Sequence, residues 1–278
     1  MPPTARLPRP PLPPVGSSSY YALQRCPPQQ RAALALLLAF HVQVRSIADS
    51  VSDLGVAHAK LAWWASQLDA MGSGQAEHPV LRALAPALSA SALPLDALLG
   101  VIDSVRMDLE QNRWLDRAAL LHYCARCSGQ TLRNSAVLLG LNDPAAGDAA
   151  QDLGVALRLV SIIRHLGRDV AKGRIYLPLD ALERHGVTAT RLQQREIDAN
   201  IRALLQEQSA QASALLDSAD AALVPFAARQ TAPLRAQGAM ARALLREIEL
   251  ADDAVLQQRI SLTPLRKLWI SRSCTWWS

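Results

Sequence analysis

The sequence predicts an all-α protein, and three observations carry that expectation. Ala and Leu dominate a chain that is 50% hydrophobic, and both are strong helix formers. No run of alternating β-branched residues shows the two-residue period of a half-buried strand. Apolar residues recur instead at helical spacing, as at Leu157, Val160, Ile163 and Leu166. At 278 residues the chain can bury a substantial core. With no convincing linker, residues 17–270 read as one helical domain.

Residues 1–16, MPPTARLPRPPLPPVG, are a proline-rich leader unsuited to a helix and expected to be disordered or polyproline-like. Ser17-Ser18-Ser19 before Tyr20-Tyr21 is a helix-entry signal. Pro27-Pro28 precede a long helical pattern from Gln29 to about Val51, with His41, Arg45 and Asp49 in a polar stripe one turn apart. A turn at 52–55 leads to a helix over Ala57–Ala70, which Gly72-Ser73-Gly74 ends. Helices follow over about 79–91, 94–112 and Arg117–Leu139. After a loop at Asn142-Asp143-Pro144, another opens near Asp148 and runs to a break at Gly173. Beyond Pro178 come short helices and a long pattern over roughly 190–222. Pro225 and Pro233 frame a break before helices at 234–250 and 252–268. The tail 271–278 reads as unstructured, with Trp276 and Trp277 as its alternative use, a membrane-interface anchor.

Charge and cysteine usage exclude more than they identify. The net charge of +5 is spread along the chain with no basic block, so nucleic acid is not expected as a partner. Cys124 and Cys127 would share a helix face, yet no second pair or histidine at zinc spacing completes a site. With Cys26 and Cys274 they read as buried small residues in a reducing compartment. No secretory signal is visible, and the longest apolar run, Ala32–Phe40, is too short to span a bilayer. The expectation is a cytoplasmic protein, with peripheral contact to the inner membrane left open.

Residues 156–179, ALRLVSIIRHLGRDVAKGRIYLPL, carry the densest chemistry. Arg158, Ser161, His165, Arg168, Asp169 and Lys172 form a polar stripe beside the apolar one, with His165 and Asp169 one turn apart. The plain reading of such a stripe is a solvated helix face. The wording SIIRHLGRDVAKGRIYLP, however, resembles the second aspartate-rich region of the squalene/phytoene synthase family, usually close to NIIRDVGEDARRGRIYLP. AFHVQVRSIADSVSDLGVAHAKLAWW (39–64) is likewise similar to the first, usually close to AFCREVDDVVDEVSDPGVARAKLAWW. MDLEQNRWLD, which is similar to a bacterial presqualene diphosphate synthase wording, the segment from Tyr123 to Gly129 and TPLRKLW extend the resemblance over about residues 17–270.

The resemblance implies an isoprenoid synthase fold, with helices around a central apolar cavity. It also implies head-to-head condensation of prenyl diphosphates, of the farnesyl diphosphate to presqualene diphosphate or squalene type. The family's cofactor is Mg²⁺, held by carboxylates one turn apart on facing helices. Here Arg45 and Ser46 stand at the two leading aspartates of the first region, Ser50 at its last acid and Val42 at an arginine facing the diphosphate. In the second region Ser161 replaces an asparagine, His165 an aspartate and Arg168 a glutamate. Asp49 and Asp169 alone remain as matching metal and catalytic acids, with Tyr123 matching the tyrosine near the reacting centre; a packed helical tyrosine reads equally well. Ser18, Ser19, Arg45, Arg126, Arg164, His165, Arg168, Lys172 and Arg174 are the implied substrate contacts. Arg45 and Arg168 would stand where metal stood and grip a diphosphate directly. The expected outcome is impaired or altered activity. The rival is a non-catalytic helical protein that holds a prenyl lipid or a protein partner, like assembly factors known at family level.

Overall fold

The computed structural model describes residues 12–91 and 93–273. Residues 1–11 of the proline-rich leader, and Cys274, Trp276 and Trp277 of the tail, lie outside them. Among the described residues every regular element is helical.

Most helix starts are set by local chemistry. Helix α1 (Ser18–Leu23) is capped by the Ser17 hydroxyl, which accepts from the Tyr20 amide. Helix α2 (Pro28–Ser50) has proline at its first position, where no amide donor is needed. Asp53 caps α3 (Leu54–Gly72), three residues earlier than the apolar pattern suggests. Helix α4 (Pro79–Ala90) and a 3₁₀ turn at Leu95–Leu98 precede α5 (Leu99–Glu110). The single helix expected over Arg117–Leu139 is α6 (Arg117–Cys124) and α7 (Gln130–Leu138), joined by a π turn at Ala125–Gly129. Such insertions recur at functional sites.

Asp143 caps α8 (Pro144–Arg164), so this helix opens a turn before Asp148. It breaks at His165 and resumes as α9 (Leu166–Ala171). Just past the break Gly167 packs tightly against the chain, since an added Cβ would lie 2.5 Å from the Leu256 carbonyl oxygen. The Asp169 amide still donates to the His165 carbonyl at 2.9 Å, so the one-turn relation between the two survives the break. Gly173, at φ 75°, ends the run in the left-handed conformation glycine adopts without strain.

Short helices α10 (Leu179–Arg184) and α11 (Ala189–Gln194) lead to α12 (Ala199–Leu223) and α13 (Ala228–Leu250). Pro233 does not mark a break; it lies inside α13, five residues after its start, and forfeits a single ladder bond near the helix end. The helix expected over 252–268 does not form. Asp252 and Asp253 take left-handed φ angles of 55° and 56°, only a 3₁₀ turn follows at Ala254–Leu256, and α14 (Pro264–Ser273) starts at a proline. That last helix runs three residues past the expected domain end at 270.

Helix α8 is the centre of the bundle, packed by α12, α7, α13, α6 and the π turn. Its buried residues include Ala146, Ala150, Leu153, Ala156, Leu159 and Ile163. Gly154 permits the closest approach, since an added Cβ would stand 2.7 Å from Gly129 Cα of the π turn and closer still to the Ser128 carbonyl oxygen. Helix α2 alone among the described residues is long and apolar enough, by length and composition, to cross a membrane. In this fold its apolar residues Leu34, Leu37, Phe40, Val44 and Ile47 are buried against neighbouring helices.

Candidate active site

A buried carboxylate, Asp108 on α5, organises the polar core between α2, α6 and α8. Its side chain is 1% exposed. Arg45 on α2 forms an ion pair with its Oδ2, and the Tyr123 hydroxyl donates to the same oxygen at 3.1 Å. The Tyr176 hydroxyl donates to Oδ1 at 2.7 Å. Charge-assisted bonds from three donors satisfy a carboxylate that burial alone would make prohibitive.

The extended exit segment positions Tyr176. The Ile175 amide donates to the Asn112 carbonyl at 3.1 Å and the Leu179 amide to the Trp114 carbonyl at 2.8 Å. Trp114, Tyr123 and Tyr176 stack within 4.5–6.2 Å of one another. Arg158 on α8 lies over both tyrosine rings, at 5.2 and 5.1 Å, and donates to the Tyr123 hydroxyl at 2.5 Å. Burial pushes the Tyr123 phenol well above its ordinary range and Tyr176 up to about 12, so both stay neutral donors. On the other side of Arg45, His41 shares a 2.9 Å hydrogen bond with Thr131. Burial, with Arg45 and Arg158 nearby, pulls His41 down to about 3, so it is a neutral imidazole.

The two retained aspartates are both engaged by cations of the chain. Asp49 receives Lys172 at 2.8 Å and Arg174 at 3.3 Å. Burial opposes its charge, but the Lys172 bond and the charges of Lys172, Arg168 and Arg174 outweigh it and hold the carboxyl below its usual range. Asp169 is bonded by Arg168 at 2.8–2.9 Å, yet burial still carries its carboxyl above the usual range. Among the described residues no group of three His, Cys, Asp or Glu side chains could hold a metal ion. Mg²⁺ needs several oxygen donors free to face it. Two carboxylates already held by lysine and arginine do not fit that need.

The other residues singled out by resemblance divide into two groups. Ser18, Ser19 and Arg164 line a cavity of about 740 Å³, together with Ser17, Arg259, Ser261 and Lys267. Arg164 Nε donates to the Ile260 carbonyl at 2.9 Å, and Lys267 Nζ to the Gly16 carbonyl at 2.7 Å. Neither these two nor Arg259 is paired with a carboxylate among the described residues. Burial, then the neighbouring arginines Arg259 and Arg168, lowers Arg164; burial, Arg164 and Arg259 lower Lys267. His165 faces an adjoining basic cleft with Arg164, Arg168, Arg195 and Arg259. Its Nδ1 lies 2.9 Å from the Ser161 carbonyl, and burial with Arg168 and Arg164 pulls it down to about 4. It is therefore not the third cationic donor that a protonated ring would supply.

Arg126 is not brought into the site; it pairs with Asp103 on the surface at 2.7 Å. Arg45 and Arg168 are held by Asp108 and Asp169 rather than left free for a diphosphate. Sequence reasoning missed Arg158, Tyr176, His41, Arg259 and Lys267 as site residues. Arg158 stood in the polar stripe and Tyr176 in the exit wording, which was the signal available. Arg259 and Lys267 lie on either side of the start of α14, where a single helix over 252–268 was expected. Cys26, Cys124 and Cys127 are buried free thiols.

The fold and the chain each have close counterparts. A dehydrosqualene synthase crystal structure in complex with ligand superposes with a TM-score of 0.83 at 22% identity, over 94% of this chain and 91% of that one. A squalene synthase from Alicyclobacillus acidocaldarius gives 0.77 at 23% identity, over 84% and 88%. The phytoene synthase of Mycobacterium bovis is 30% identical over 257 residues, 91% of this chain and 84% of that protein. The presqualene diphosphate synthase of Sinorhizobium fredii is 31% identical over 177 residues, a match spanning 63% of this chain and 63% of that protein's length. The family model for squalene/phytoene synthase matches residues 12–266, from the cavity-lining prolines to the last helix. A helical chain matched by that model over residues 12–266 belongs to the squalene/phytoene synthase family.

Proposed function

We propose that this protein binds a prenyl diphosphate without a metal cluster, and that it performs head-to-head condensation weakly or not at all. The observation that carries this reading is the pairing of Asp49 with Lys172 and Arg174, and of Asp169 with Arg168. The diphosphate lies against Arg164, Arg259 and Lys267, three cations without carboxylate partners among the described residues, at one end of the 740 Å³ cavity. Ser17, Ser18 and Ser19 supply neutral donors there, and Val160, Met240 and Leu244 supply apolar wall for the chain. Guanidinium groups grip phosphate oxygens tightly, but they do not bridge two ligands to a leaving group as a metal does. Binding without efficient ionisation follows.

The test is calorimetry with farnesyl diphosphate in EDTA and in Mg²⁺, beside an assay for released diphosphate. Binding that persists in EDTA, and that weakens about ten-fold or more in R259Q or K267Q, is the expected result. Binding abolished by EDTA, or diphosphate release that Mg²⁺ restores to a rapid rate, overturns it.

A further inference from the structure

Helix α14 packs inward through Lys267, Ile270 and Ser271 and presents Leu265, Trp269 and Arg272 outward, at i, i+4 and i+7. Leu265 is 79% exposed and Trp269 70%. Val15, equally exposed, lies at the start of the same helix: its neighbour Gly16 sits against Pro264, and the Gly16 carbonyl accepts from Lys267. Exposed apolar residues scattered singly are ordinary, whereas a tryptophan beside a leucine on one helix face is a patch. The charge around that patch has one sign. From Ala254 to Ser278 the chain carries Arg259, Arg266, Lys267 and Arg272 and no Asp or Glu. Arg266, which also pairs with Glu247 of α13, and Arg272 border the apolar residues, while Lys267 turns inward. Trp276 and Trp277, outside the described residues, follow seven and eight positions after Trp269.

Tryptophan and leucine bordered by arginine, with no acid on the helix, is the composition of a segment that lies in the headgroup layer of a bilayer. At ten residues α14 is about 15 Å long, too short to span one. A second copy of the chain fits less well. Val15, Leu265 and Trp269 together offer a few hundred Å², short of the roughly 800 Å² per partner of a stable dimer. We propose that the protein docks peripherally on anionic lipid bilayers through the Leu265–Trp269 face of α14, with Arg266 and Arg272 at the headgroup phosphates. Val15 also lines the 740 Å³ cavity, so docking brings the open side of that cavity toward the lipid. A role for this in passing an apolar chain rests on the prenyl diphosphate reading; the docking surface itself does not.

The experiment is flotation of the full chain with vesicles of phosphatidylcholine alone, or of two parts phosphatidylcholine to one of phosphatidylglycerol, at low and high salt. It is repeated on L265Q/W269Q, W276S/W277S and L115Q, a control at an exposed leucine elsewhere. The parent should float with the mixed vesicles, and several-fold less with phosphatidylcholine or in high salt. L265Q/W269Q should lower partitioning about ten-fold or more, with an unchanged circular dichroism spectrum, while L115Q matches the parent. No flotation of the parent, undiminished flotation of L265Q/W269Q, or an equal loss in L115Q overturns the proposal. Flotation seen only in W276S/W277S would make the tail the cover of this face, and a parent dimer that L265Q/W269Q dissociates would give it to a second copy; either result also overturns it. Failure of the diphosphate reading shows separately, as farnesyl diphosphate affinity, measured without vesicles, unmoved by R259Q.

Discussion

Arg45 is ion-paired with Asp108, so this cation is neutralised by an acid from the neighbouring helix. The pair sits at the centre of the polar core, because Asp108 is also the acceptor for Tyr123 and Tyr176. Returning an acid to this position by R45D sets two carboxylates together in a buried site. Breaking a buried pair in this way costs about 3–5 kcal/mol, and the urea midpoint of R45D should fall accordingly. An R45D protein as stable as the parent would mean that the pair is solvated.

The two tyrosine hydroxyls should not be equivalent. Y176F removes one neutral bond to Asp108 Oδ1, a loss of about 1–2 kcal/mol. Y123F strips a bond from Oδ2 and also leaves Arg158 without its 2.5 Å acceptor, so it should cost more. Chemical denaturation of the two variants side by side reads the difference. The reverse order would place less weight on Arg158 than its stacking suggests.

Acid should destabilise the fold well above the usual carboxylate range. His41 is pulled down to about 3 and His165 to about 4, against an ordinary value of 6.5. The unfolded chain takes up protons below about pH 6.5 that the folded chain refuses. Stability from both rings is full above that pH and is lost as pH falls toward 4. On the order of a few kcal/mol is at stake between pH 7 and 5. Unfolding midpoints across that window should show the decline, and H41Q should flatten part of it. A flat profile in the parent would mean that both rings are protonated when folded.

G154A tests the helix contact that shapes the site. Alanine would normally favour a helix interior by about 1 kcal/mol over glycine. At Gly154 the added Cβ meets backbone of the π turn, including Gly129 Cα at 2.7 Å, and backbone cannot swing aside as a side chain can. The melting temperature should drop rather than rise. It should also loosen the π turn that carries Cys127 and Ser128 to a cavity wall.

Helical class and the starts of α1, α2, α4 and α6 were legible in the chain alone, because a cap at Ser17 and prolines at Pro28 and Pro79 act through bonds only a few residues long, whereas Asp53, Asp143 and Pro264 begin helices where the apolar pattern placed other starts. The family wording also drew attention to Asp49 and Asp169 and to the residues around them. What each acid and arginine faces came from the three-dimensional packing. Asp108 and Tyr176 lie 68 residues apart and Asp49 and Lys172 lie 123 apart, and no local pattern encodes such pairings. The close approach of Leu256 to Gly167 and the left-handed turn at Asp252 and Asp253 are tertiary and loop features of the same kind. Periodicity reports which face of a helix is apolar, whereas charge pairing depends on what the opposite helix presents. That is why Arg45 reads in sequence as a free cation and in the fold as half of a buried ion pair.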